Sequence, residues 1–439
     1  EEYQIYKKKI IKFSDKNIIK KFKIKFKNLN SKEQNFFQNR LALTHILEKK
    51  NWLKFNGLSI DTRTIQKDNL FLAIKGKKCD GSTFINSALK KGAGCVVTSS
   101  TPITKNKKIL KVKNTTVFLN RLAKYKRKLT SAKIIAVTGS AGKTSLKNLI
   151  KNLLQSFGKT HYSPKSFNNQ LGVPISLSNL SYNDKFGVFE VGMSRVGEIK
   201  KLSKLIKPHI GVITNIGEAH IENFKNIYGI AKAKSEIIEN IKSGGTIILN
   251  RDDKFFYYLF KKAKAFRINI LTFGVHKKAD ICLKKITKKD NSTKIFLNMN
   301  NKTIDLEVGD LNVNNVMSSI AVLLALNIDI LKIKNDFKHF ESPEGRGKKY
   351  LITRYKKKFR LIDESYNANP LSVKIAIVKF TAIKKEKFKK YLILGDMLEL
   401  GSRSKKYHEE MFKVINKSDI DKVFIKGKNT IFTYKYLNK

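Results

Sequence analysis

The chain has 439 residues, long enough for two or three domains with sizeable buried cores. Hydrophobic residues at 41% and charged residues at 28% are the balance of a globular protein, and no apolar run is long enough for a spanning helix. A net charge of +55 would by itself suggest a polyanion partner, but the lysines are scattered through nearly every segment, which reads as compositional drift, so nucleic acid is not expected.

The N-terminus has no apolar core followed by small residues, so a secretory leader is not expected. The missing initiating Met reads as a clipped or incomplete gene product. Cys79, Cys95 and Cys282 lack metal-ligand or redox spacing, and a reducing, cytoplasmic setting is expected.

In chain order, residues 1–42 form a basic, irregular extension to which no chemistry is assigned. Residues 43–130 read as a small α/β domain, with L-S-I-D-T-R at 58–63, D-N-L-F-L-A-I-K-G at 68–76, D-G-S-T-F-I at 80–85, the strand C-V-V-T and a helix over 116–130. Residues 131–341 alternate apolar strands with helices: I-I-A-V-T, then 186–192, 210–215, 245–250 and 270–274. Continuous apolar strands between helices predict a mostly parallel sheet with ligands at the carboxyl ends of its strands. After S-P-E-G-R-G, residues 342–439 carry strands at 359–363 and 391–395 and read as a further βαβ domain.

The central motif is I-I-A-V-T-G-S-A-G-K-T-S at 134–145. A strand runs into a loop with Gly139 and Gly142, then a helix opening on Lys143 and Thr144. Such a loop aims backbone N–H groups and a helix N-terminus at a phosphate; the lysine neutralises charge and the hydroxyl can hold Mg²⁺. The spacing is shorter than the standard phosphate loop, because Val137 stands where its first glycine would be. A chance glycine turn is disfavoured by the strand before it and the helix after it.

Other polar residues fall at the same predicted rim. Glu190 ends the strand F-E-V-G-M-S, where a carboxylate would complete a Mg²⁺ shell with Thr144. His220 ends T-N-I-G-E-A-H; a lone histidine is more often structural, but the shared rim favours a functional one. Lys232 and Lys234 lie on one helix, and the residues alone do not single out either. Asn312 and Asn315 open another helix, where capping accounts for one and a base or ribose contact for the other. The loop D-E-S-Y-N-A-N-P at 363–370 is unusually polar for one following a buried strand and suggests binding.

The ordered set S-I-D-T-R, V-T-G-S-A-G-K-T-S, N-N-Q-L-G-V-P, E-V-G-M-S, N-I-G-E-A-H, A-K-A-K-S-E, D-E-S-Y-N-A-N-P and G-D-M-L-E-L-G resembles the Mur ligases of peptidoglycan synthesis over roughly residues 43–430. The resemblance implies three domains: a small α/β N-terminal domain that binds the UDP substrate (43–130), a central mostly parallel-sheet ATP-binding domain (131–341) and a Rossmann-like C-terminal domain (342–439). It implies ATP-dependent ligation through an acyl phosphate. S-Y-N-A-N-P with G-D-M-L-E-L-G points to the addition of D-Ala-D-Ala to UDP-muramoyl-tripeptide, over the alternative of adding the third amino acid. A basic, nucleic-acid-binding phosphate-loop protein is the remaining, weaker alternative.

By resemblance, Gly139, Ser140, Ala141, Gly142, Lys143, Thr144 and Ser145 cradle ATP. Thr144 and Glu190 hold one Mg²⁺, and His220 with a carbamylated Lys234 holds a second. Asn312 and Asn315 border the adenine, while Arg346 and Asp363 belong to the surface that closes on ATP. Thr62, Arg63, Asp80 and Phe84 are implied for the UDP end, Asn168 and Asn169 for the sugar-peptide, and Tyr366, Asn367 and Asn369 for the dipeptide. A monomer without membrane spans is expected. Departures are Ser82 and Leu311 in place of histidines and Glu364 in place of an aspartate. The resemblance also implies a further strand and helix after K-V-F-I-K-G, so a shortened last domain is expected.

Overall fold

The structure, a computed structural model, describes residues 30–47, 53–76, 79–101, 106–289, 292–299, 302–309, 311–338, 340–383 and 388–438. They fall into two compact units, one running to Thr130 and including Ser178–Asn183, the other comprising Ser131–Leu177 and Asp184–Lys439. Among the described residues no helix is long and apolar enough to cross a membrane.

The first unit holds a parallel sheet of β1 (Gly57–Ser59), β2 (Asn69–Ala73), β3 (Cys95–Thr98) and β4 (Ile109–Lys111), in that order. Of the basic stretch read as an extension over 1–42, residues 1–29 lie outside the described residues. From Ser31 onward the chain is a helix, Ser31–Leu47, packed on helix Thr115–Leu129. Its interior is polar as well as apolar: the buried Lys126 Nζ donates to Gln38 Oε1 and Asn39 Oδ1, each at 2.8 Å. A buried ammonium paired in this way avoids the cost of an unsatisfied charge, and the segment is a structural part of the unit.

The second unit is built on a nine-stranded sheet in the order β13-β12-β11-β10-β9-β8-β5-β7-β6. β5 (Lys133–Thr138) sits between β7 (Phe186–Glu190) and β8 (Ile210–Ile213), parallel to both. Ile134 to Val137 are fully buried, as expected of a strand covered on both faces. Helix Lys143–Gln155 covers the sheet with Leu146, Leu149, Ile150, Leu153 and Leu154, a three-and-four spacing that puts one apolar stripe on the core. β6 (Thr160–Tyr162), β9 (Thr246–Asn250) and β10 (Asn269–Gly274) continue the parallel part.

Two features depart from the sequence reading. β11 (Ile281–Lys289), β12 (Ser292–Met299) and β13 (Lys302–Val308) extend the sheet as an antiparallel meander. Buried Ile295, Leu297 and Met299 alternate there with more exposed residues, the period of a half-buried strand. In the third block, β15 (Lys357–Asp363) pairs antiparallel with β14 (Lys348–Arg354), so 359–363 belongs to a hairpin and not to a βαβ crossover. The parallel pair is β16 (Tyr391–Gly395) with β17 (Lys422–Lys426).

Candidate active site

β5 ends in the glycine loop, and neighbouring strand ends dictate why glycines stand there. At Gly139, with φ of 149°, an added Cβ would collide with the Thr214 side chain beyond β8. Gly142 begins the helix in the left-handed region, φ 82°, with Asn315 Oδ1 only 3.0 Å from where its Cβ would lie. The loop is braced: Ser140 N donates to Asn215 O at 3.0 Å, Ala141 N to Asn215 Oδ1 at 2.9 Å, and Thr214 Oγ1 to Ala141 O at 2.6 Å. Two loop N–H groups are therefore spent on the protein itself. The amides left for an anion are those of the helix's first turn, which have no intrahelical partner.

Two lysines share one acceptor. Lys143 Nζ donates to the Gly139 carbonyl at 2.8 Å, and Lys234 Nζ, from helix Ile227–Ser235, donates to the same oxygen at 3.1 Å. Burial pushes the Lys234 ammonium well below the ordinary lysine range, and Lys143 adds repulsion. Lys143 is lowered too, by burial and Arg346, against the pull of Glu190. Lys232 is exposed, so the geometry separates the two lysines that sequence left level.

Glu190 is buried at the end of β7 and saturated with donors. Thr144 Oγ1 donates to Oε2 and Asn168 Nδ2 to Oε1, both at 2.8 Å, and Lys147 Nζ lies 3.7 Å from Oε2. The sequence reading missed Lys147; its signal was the four-residue spacing after Lys143, one helical turn along the same face. Burial pushes it down to about 8, opposed by Glu190.

His220 follows β8 in a left-handed conformation, φ 59°, with Nδ1 against the Glu399 carboxylate. Burial and the nearby Lys234 and Lys143 hold its pKa below the ordinary value, although Glu399 raises it. Glu399 was also missed as a site residue, although it lies in the quoted G-D-M-L-E-L-G. Asn312 caps helix Val313–Ala325 by accepting from Asn314 N at 2.9 Å, while Asn315 is buried beside the loop.

The third block faces the same cleft. Arg346 stacks over Tyr366 at 4.2 Å and donates to Ser166 Oγ at 3.2 Å. Asn369 caps helix Pro370–Thr381 and its Nδ2 lies 3.4 Å from the Ser140 carbonyl. Asn367 Oδ1 accepts from Ala368 N, and Asn169 Oδ1 from Leu171 N and Gly172 N, so both shape turns. Asp363 accepts from Ser365 Oγ at 2.6 Å and Gly345 N at 3.2 Å; those hydrogen bonds lower its pKa, and it braces the loops without lining the cleft.

The cleft holds about 770 Å³ and brings together Ser140 to Lys143, Ser145, Asn168, Asn169, Glu190, His220, Lys234, Asn312, Asn315, Arg346, Tyr366, Asn367 and Asn369. Among the described residues no group of three or more His, Cys, Asp or Glu is arranged for a metal. The Glu190 carboxylate and Thr144 hydroxyl are nonetheless adjacent hard oxygen donors, which suit Mg²⁺ that completes its shell from water and phosphate.

The remaining candidates belong to the first unit. Arg63 is paired with Asp61, Nη2 to Oδ2 at 2.7 Å, and the Thr62 carbonyl accepts from Lys91 Nζ at 2.8 Å. Asp80 caps the turn Gly81–Phe84 through Ser82 N at 2.9 Å, and Phe84 is exposed.

Three family descriptions match in chain order: "Mur ligase family, catalytic domain" over 54–133, "Mur ligase middle domain" over 137–323 and "Mur ligase, glutamate ligase domain" over 351–433. A UDP-N-acetylmuramoyl-tripeptide--D-alanyl-D-alanine ligase of Buchnera aphidicola subsp. Baizongia pistaciae is 32% identical over 86% of this chain and 81% of its own length. Among solved structures, MurF from Acinetobacter baumannii superposes with a TM-score of 0.79 at 27% identity, covering 92% of this chain and 88% of that one. A MurF ligase from Thermotoga maritima in complex with ADP does so with 0.71 at 28% identity, covering 85% of each chain. With glycine loop, buried lysine pair and third-block residues on one cleft, and with matches running from residue 54 to residue 433, the chain belongs to the Mur ligase family.

Proposed function

We propose that this protein is an ATP-dependent ligase that joins D-alanyl-D-alanine to UDP-N-acetylmuramoyl-tripeptide in peptidoglycan precursor synthesis. The observation that carries the reading is the meeting of Lys143, Lys234 and the Glu190–Thr144 pair around the Gly139 carbonyl. Third-block residues Arg346, Tyr366 and Asn369 line the same cleft. The similarity to D-Ala-D-Ala-adding enzymes favours this over addition of the third amino acid.

A carboxylate is a poor acyl donor, so it is first activated. A carboxylate oxygen of the tripeptide attacks the γ-phosphorus of ATP, and ADP leaves. The dipeptide amine then attacks the acyl-phosphate carbonyl, and the tetrahedral intermediate expels phosphate as the amine loses its proton. Gly139 to Ser145 cradle the phosphates, and Lys143 stabilises the charge on the transferring group. Mg²⁺ held by Thr144 and Glu190 would neutralise phosphate charge. Asn312 and Asn315 border the base, and Arg346 with Asp363 forms the closing surface that excludes water. Asn168 and Asn169 meet the sugar-peptide, and Tyr366, Asn367 and Asn369 the dipeptide. Thr62, Arg63, Asp80 and Phe84 serve the UDP end.

Lys234 carbamylation fits its surroundings, because burial favours the neutral amine whose lone pair can bond to CO₂ with loss of a proton. The carbamate oxygens and His220 would serve a second Mg²⁺. We assign domain limits of 43–130, 131–341 and 342–439, a monomeric state and a cytoplasmic setting, where ATP and nucleotide-linked substrates meet.

Phosphate release from ATP with UDP-muramoyl-tripeptide, with and without D-Ala-D-Ala, tests the reaction. Release that needs neither substrate, or salt-sensitive oligonucleotide binding in its place, refutes it. Intact mass and rescue of Lys234→Ala by short carboxylates test the carbamate; an unmodified mass and no rescue remove it.

A further inference from the structure

Glu399 and His220 are both non-glycine residues in the left-handed region, with φ of 61° and 59°, and they meet where the third block touches the central sheet's rim. Such conformations are uncommon and persist where the surroundings over-determine them. The surroundings here are specific. The Glu399 carbonyl accepts from Glu222 N at 3.3 Å, and Arg403 Nη2 donates to Lys225 O at 2.5 Å. Met397 and Leu400, on either side of Glu399, are buried. The loop 397–403 is thus clamped on residues 220–225.

A carboxylate has only lone pairs to offer, so the contact with His220 Nδ1 is made through an Nδ1–H. Which imidazole nitrogen carries the proton is set by the hydrogen bond the other atom makes. Nε2 is then the nitrogen left for the cleft that His220 lines. We propose that Glu399 is a positioning residue: it fixes the Nδ1–H tautomer of His220, so that the histidine offers an acceptor nitrogen to the cleft only while the third domain is docked. Docking of that domain and readiness of the histidine become one event. The catalytic consequence rests on the ligase reading above; the tautomer itself does not.

The test uses the full chain labelled with ¹⁵N-histidine, the His220 ring signal being identified by its loss in His220→Gln. In the unsubstituted protein the ring is expected as Nδ1–H, with Nε2 bare. Glu399→Gln keeps an oxygen acceptor and is expected to keep that tautomer; Glu399→Ala is expected to move it toward Nε2–H. Loss of such an outer partner typically lowers activity by about 10–100-fold. Glu399→Ala should therefore lower kcat by that factor with KM for ATP little changed, and Glu399→Gln should restore most of it. A tautomer that stays put in Glu399→Ala, or moves without a fall in kcat, overturns the proposal. So does an equal loss in both variants. Absence of D-Ala-D-Ala-dependent phosphate release in the unsubstituted protein would instead overturn the ligase reading and leave the tautomer result standing.

Discussion

Lys147 offers a quantitative check on the electrostatics beneath the glycine loop. Its side chain is 0% exposed and lies 3.7 Å from the 1%-exposed Glu190, yet burial outweighs this attraction and brings its pKa from 10.5 to about 8. Below about pH 8 the lysine is charged in both the folded and unfolded chain, and folding bears the full desolvation cost. Between about 8 and 10.5 the folded protein has released the proton while the unfolded chain keeps it, so stability rises with pH. Each pH unit is worth about 1.4 kcal/mol, which makes the whole change on the order of 3 kcal/mol. Lys147→Met has nothing to titrate there. Urea unfolding followed by circular dichroism, at steps from neutral pH to about 10.5, should give a stability difference, unsubstituted minus Met, that climbs by this amount. Parallel stability curves would refute the reasoning, because they would mean that the buried ammonium carries no net desolvation cost.

Other substitutions probe the site and its frame. Lys143→Ala should reduce phosphate release by about 10²–10³ or more while leaving the circular dichroism spectrum unchanged, since the lysine acts on charge that develops during transfer. Gly142→Ala places a Cβ in a left-handed position 3.0 Å from Asn315 Oδ1. It should cost roughly 1–2 kcal/mol in thermal unfolding and raise KM for ATP; an unshifted melting temperature would count against the strain. Burial pushes the Cys95 thiol up to about 12, whereas Cys79 is exposed. Mass spectrometry after brief alkylation at neutral pH should therefore find Cys79 modified and Cys95 intact until the chain unfolds; early labelling of Cys95 would contradict its burial.

The parts that local chemistry specifies were open to the sequence alone. The buried run Ile134 to Val137, the glycines and the Leu-rich helix stripe predict a strand, a loop and a helix, because side-chain period and backbone freedom are properties of neighbouring residues. The strand ends that carry Glu190 and His220 follow from the same logic, as parallel strands present their carboxyl ends together. Tertiary structure decided what depends on residues far apart in the chain. Helical spacing puts Lys147 on the face of Lys143, but only packing gives it Glu190 for a neighbour and excludes water from both. Lys232 and Lys234 differ by one step around a helix, and burial alone separates them. Asn312 and Asn315 look alike until one is seen to cap its helix and the other to lie against Gly142. The antiparallel meander over 281–308 and the hairpin at 348–363 depend on strand pairing, which the apolar pattern does not encode by itself. Glu399 reaches His220 across 179 positions, and that contact exists because the folded chain holds both in backbone conformations few side chains adopt.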